Sequence, residues 1–157
     1  MTAQLPESQI TSGSDLYEQD FYLWIQTTVE LLKQKNFTQL DLENLIEEIE
    51  TMGRSEKKAL RSNLEVVLMH LLKYRYQPEK RSGSWQATIR EHRKRLRETL
   101  EESPSLKLYF DEVFGECYNH ARLLAADETE LAVATFPEKS PFIPEQILNP
   151  AFLPESR

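Results

Sequence analysis

Between Leu64 and Leu72 the chain reads Leu-Glu-Val-Val-Leu-Met-His-Leu-Leu, and wound into a helix this run is apolar around nearly its whole circumference. A helix with no side to offer water is a central one, so the other elements must gather around it. Ser55 can cap it and Gln77-Pro78 ends it after about Tyr76. Its apolar stretch is broken by His70 and falls far short of the roughly 20 residues a membrane span needs. No membrane segment is expected.

The helices around this axis follow from three-to-four spacing. Tyr17, Phe21, Trp24, Thr28, Leu31 and Leu32 mark one face of a first helix from Ser14 or Asp15 to Asn36. A short second helix follows Asp41, with Leu42, Leu45, Ile46, Ile49 and Met52 facing inward, an acidic outer face of Glu43, Glu47, Glu48 and Glu50, and Gly53 as a left-handed stop. After the axis, a fourth helix from about Ser84 has Trp85, Ile89, Leu96 and Leu100 as its seam and arginines elsewhere. Ser103-Pro104 opens a fifth, to about Glu128, burying Phe110, Val113, Phe114, Cys117, Ala121 and Leu124.

Five of the eight prolines fall at or after Pro137, alternating with Phe142, Ile143, Ile147, Leu148, Phe152 and Leu153. Such a segment cannot be a long helix, yet it is too apolar for a free linker. Two forms are open to it: a fixed strap, which is the commoner, or an arm exchanged with a second subunit. Only 144–149 is long enough for a turn or two of helix. The expectation is an all-α single compact bundle of about five helices: a flexible N-terminus over 1–13, a helical bundle over 14–135, and a proline-rich tail over 136–157 packed on it. At 157 residues, folding hides roughly 70% of the unfolded surface, enough for one core.

The net charge of −7 conceals a division. From Arg54 to Arg97 there are 13 basic and four acidic residues, a balance of +9, leaving −16 for the rest. Cys117 is the one cysteine, so no internal disulfide forms, and with no secretory signal at the N-terminus the expected compartment is the cytoplasm.

The runs Asn44-Leu45-Ile46-Glu47-Glu48-Ile49-Glu50, Met52-Gly53-Arg54-Ser55, His70-Leu71-Leu72-Lys73, Gln77-Pro78-Glu79, Ser84-Trp85, Thr88-Ile89, Ser103-Pro104-Ser105-Leu106 and Phe136-Pro137 lie within Asp15 to Leu153. Together they resemble the bacterial family known as domain of unknown function 29, common in cyanobacteria. The resemblance implies a compact helical fold and brings no activity, cofactor or partner with it. It also implies a frequent cysteine in a Phe-Pro-x-x-Cys-Pro stretch where this chain has Ser140. A thiol there is then not needed for a shared chemistry.

Several constellations carry possible chemistry. Glu47 and Glu50, or Glu116 and His120, have helical spacing for a cation, but the repeated Glu-x-x-His of di-iron bundles is absent, and neither a metal nor a cofactor is expected. His70 on the axis needs a hydrogen-bond partner, which Glu47, Glu48 or Arg93 could provide. Glu48, His70 and Arg93 are thus the candidate catalytic set, for acid/base chemistry on an anionic substrate. The ordinary alternative is a satisfied core histidine. Cys117 falls on an apolar face and is expected to be inert.

Arg81, Trp85, Arg90, Arg93, Lys94 and Arg97 are the candidate binding residues, since arginine forks suit phosphates and exposed rings stack on bases. Core packing of the aromatics and neutralisation by acidic neighbours explain the same residues equally well. The leading expectation is a protein-interaction or regulatory module contacting another protein, or a second copy of itself, through charged helices. The alternatives are nucleic-acid binding through the 54–97 block and an acid/base enzyme centred on Glu48, His70 and Arg93.

Overall fold

The computed structural model describes residues 13–155. Among them it is all-α, as expected, with six helices and no strand. The expected flexible N-terminus lies outside the described residues except for Gly13, which opens α1 (Gly13–Gln19). The chain divides into two units, Met1–Arg54 and Ser55–Arg157.

The first unit holds α1, α2 (Phe21–Lys33) and the start of α3 (Leu42–Tyr76). The single helix expected to Asn36 is two, because Asp20 leaves helical geometry and its Oδ1 accepts the Leu23 N–H at 2.9 Å. An aspartate whose side chain satisfies a first-turn amide favours a fresh start over continuation. Tyr17 packs edge-on against Phe21 and Trp24 across the break. Lys35, at φ 56°, ends the second helix by turning left-handed. Asp41 ties α2 to α3, accepting from Trp24 Nε1 at 3.2 Å and Asn44 Nδ2 at 2.7 Å.

Gly53 does not stop a helix. The second and third expected helices are one continuous α3 of 35 residues, and no glycine among the described residues has positive φ. Glycine allows the left-handed turn without requiring it, and in a helix interior it costs only about 0.5–1 kcal/mol relative to alanine. A Cβ built at Gly53 meets nothing within 4 Å. Gly53→Ala should therefore raise unfolding free energy by about 0.5 kcal/mol. A loss of stability in denaturant titration would contradict the helical φ.

The second unit is built on the rest of α3, with α4 (Gly83–Glu102), α5 (Leu106–Thr129) and α6 (Pro144–Leu148). Leu60, Leu64, Val67, Leu68, Leu71 and Leu72 are fully buried, making the axis read from the sequence the centre of this unit's core. The helix α4 begins within a residue of the expected Ser84, and Ser82 caps it, its Oγ accepting the Trp85 N–H at 3.2 Å. On α5 Phe110, Val113, Phe114, Cys117, Tyr118, Ala121 and Ala125 face inward. Its end is a left-handed Glu130 at φ 58°.

The proline-rich segment closes this core by burying Phe136, Phe142 and Ile147. It is pinned near its start by Tyr118 Oη donating to the Pro137 carbonyl and Arg122 Nε to that of Phe136 at 2.9 Å. Ser140 closes a turn, accepting the Phe142 N–H at 3.1 Å.

Candidate functional site

Arg93 is the most constrained of the candidate residues. It lies between Ile89 and Leu96 on the inner seam of α4, and is only 3% exposed. A buried guanidinium must satisfy its donors. Here Nε donates to the Ile147 carbonyl at 2.7 Å, Nη1 to that of Phe152 at 3.0 Å and Nη2 to that of Gln146 at 3.4 Å. Burial, and then Arg97, pull its pKa down to about 10, so it is charged at neutral pH. Its donors are occupied in holding the C-terminal segment.

Beside it, Arg90, Lys94 and Arg97 stand exposed around a cleft of about 330 Å³, completed by Glu98, Glu101 and Pro150. Lys94 reaches Glu98 at 3.6 Å, one turn on, a pair exposed enough to contribute little. Arg81 and Trp85 do not line this cleft. Arg81 Nε donates to the Tyr74 carbonyl at 2.7 Å, its guanidinium 4.1 Å from the Tyr74 ring centre. Trp85 receives the Lys73 ammonium 4.7 Å from its ring centre, and that ammonium also pairs with Glu128 at 2.6 Å. The six candidate binding residues thus fall into an exposed trio, a buried anchor and two residues, one before α4 and one in its first turn, that pack against the end of α3.

Of the candidate catalytic set, Glu48 belongs to the first unit and His70 and Arg93 to the second. Glu48 accepts a hydrogen bond from Tyr17 Oη. His70 is partly buried and shares its Nδ1 hydrogen with the Val66 carbonyl of its own helix at 2.9 Å. Burial lowers its pKa; the Val66 carbonyl works the other way, and Lys73 adds to the lowering. A base whose folded-state pKa is depressed adds stability in full above its unfolded value, near 6.5, and loses it as pH falls from there through the lower folded value. On acidification, wild type should lose unfolding free energy faster than His70→Gln; parallel pH profiles would contradict this.

His92 hydrogen-bonds Asn63 at 2.7 Å and His120 meets Glu65 at 2.8 Å. Cys117 is buried, its thiol pushed up to about 11 by burial first and Glu65 second. A thiol held protonated is a poor nucleophile. Among the described residues no three His, Cys, Asp or Glu side chains are grouped to hold a metal ion.

A different surface emerges in the first unit. Phe21, Ile25, Val29 and Leu32 of α2 and Leu45, Ile49 and Met52 of α3 line a groove of about 260 Å³, with Trp24 and Thr28 buried beneath. Met52 is 66% exposed and Ile49 59%. The face expected to point inward is therefore open in this chain. Among the described residues, eleven of the sixteen exposed large apolar side chains lie between Phe21 and Met52, which marks this unit as incompletely covered.

The family described as Domain of unknown function DUF29 matches residues 16–153, nearly nine-tenths of the chain. The chain belongs to the DUF29 family. No curated protein and no solved structure matches it. The DUF29 match begins in α1 and runs to the C-terminal segment, so the groove and the charged cleft both fall inside the DUF29 domain. Among the described residues of this DUF29 chain no helix is long and apolar enough to cross a membrane.

Proposed function

We propose that this DUF29 protein is a protein-interaction module whose contact surface is the apolar face of its first unit. The observation that carries the reading is the open groove between α2 and α3. Phe21, Ile25, Val29, Leu32, Leu42, Ile46, Ile49 and Met52 are each between 37% and 66% exposed. Covering the bare half of such a side chain is worth about 1 kcal/mol, so the eight together offer about 8 kcal/mol before the entropic cost of association. Two packed helices presenting an apolar trough suit helix-in-groove recognition. The single, protonated cysteine fits a reducing, cytoplasmic setting.

Arg90, Lys94 and Arg97 form a second exposed surface for an acidic partner, nucleic acid included, although Glu98 and Glu101 beside them oppose a polyanion. Affinity capture from the native cell separates the two. Proteins retained by wild type should be lost with Val29→Asp/Ile49→Asp and kept with Arg90→Glu/Arg97→Glu. Retention unchanged by the first pair would end the reading.

A further inference from the structure

Resting on that reading, we infer that the occupant of the groove is a second copy of this chain, docked face to face about a two-fold axis. The face has what self-pairing requires: a ridge and a trough side by side. Ile49 and Met52 form the α3 rim of the trough between α2 and α3, at 59% and 66% exposure, with Ile46 beside them on α3 at 48%. A two-fold axis lays the ridge of each copy over the trough of the other, which is the self-complementarity an isologous interface needs. The α2 helices and the first turns of the α3 helices then form a four-helix layer packed through their apolar stripes.

The extent is right for a dimer. Eight large side chains at about half exposure present on the order of 600–800 Å² of apolar surface. A standard interface takes about 800 Å² from each partner, whereas a monomer seldom bares an apolar patch beyond a few hundred.

Charge argues for a copy over a basic helix. The described part of the first unit carries nine acids and three bases, which alone would invite a basic partner. At 100° per residue, however, Glu43, Glu47 and Glu50 fall on the side of α3 away from Leu45, Ile49 and Met52. Glu47 and Glu50 meet Arg54 there at 2.8 and 3.9 Å. Glu30 is likewise opposite Phe21 and Leu32 on α2, beside Lys33 at 3.4 Å. Glu48, the carboxylate in the trough wall, is already engaged by Tyr17. No ring of acids awaits a basic helix, and face-to-face pairing leaves the outward acids in water. Two like-charged units repel only through solvent, which salt screens. Self-association should therefore tighten with added salt, whereas a basic helix would bind more weakly.

Light scattering on the full chain, with sedimentation over a range of concentrations at low and high salt, tests this. The expected mass is twice 18.4 kDa, with a dissociation constant that falls several-fold with salt and rises by about 100-fold or more in Val29→Asp/Ile49→Asp. Met52→Lys, at the most exposed site on the face, should show the same loss with an unchanged circular dichroism spectrum. A monomer at every concentration, a dimer weakened by salt, or a dimer indifferent to all three substitutions overturns the pairing. An apolar dye distinguishes the deeper failure. A monomeric wild type that lights the dye, and loses the signal in Val29→Asp/Ile49→Asp, refutes self-pairing and retains an interaction face for another protein. A monomer dark in both forms refutes both.

Discussion

Leu68→Ala should lower the unfolding free energy by about 3–4 kcal/mol and the melting temperature by about 10 °C. Leu68 is completely buried and sits among Leu64, Val67, Leu71 and Leu72, also buried, in the core of the second unit. Removing its isobutyl group forfeits the transfer term and leaves a hole that α3 cannot close, because inward residues of α4, α5 and the C-terminal segment belong to the same close-packed cluster. Against a typical total of 5–15 kcal/mol such a loss is a large fraction. Leu108→Ala supplies the control. That side chain is 68% exposed on α5, and its removal should change stability by no more than about 0.5 kcal/mol. Equal effects from the two substitutions in chemical denaturation would mean that 64–72 is not the centre of the core.

Arg93→Ala should cost about 3 kcal/mol and free the C-terminal segment to proteases. The guanidinium donates to the carbonyls of Gln146, Ile147 and Phe152, and hydrogen bonds from a charged donor contribute about 1.5–3 kcal/mol each when made in isolation. They do not add fully, since solvent reaches some of the released carbonyls. Arg93→Met refills the seam between Ile89 and Leu96 without restoring the donors. If hydrogen bonding dominates, Arg93→Met retains at least half of the loss. If it recovers wild-type stability, the methylenes are what matter. Limited proteolysis should cut between Pro137 and Pro154 in Arg93→Ala well before wild type, and matching cleavage rates would remove Arg93 as the anchor.

These expectations show what the sequence could and could not convey. The axis was legible because a run apolar on every side has one physical solution, and the inward residues of α5 follow from spacing alone. Arg93 was harder. It sits four residues after Ile89 and three before Leu96, on the same seam, and that offset was the signal that it is buried; its charge argued the other way. Gly53 and Asp20 misled in opposite directions, since glycine fits both a helix interior and a left-handed stop, and aspartate both a helix surface and a cap. Periodicity also reveals that Ile49 and Met52 share a stripe with Leu45, but not whether the same chain covers it. That depends on long-range packing, which no local pattern encodes.

The unbroken run of α3 through Arg54–Ser55 has a consequence for how order arises. Starting a helix is costly and lengthening one is cheap, and a segment as short as 42–54 would be marginal in isolation. Extending from a stretch already fixed by buried leucines, it needs only growth, residue by residue, with no nucleus of its own. The sparsely buried end of the molecule can thus keep its helical form while leaving its greasy side uncommitted.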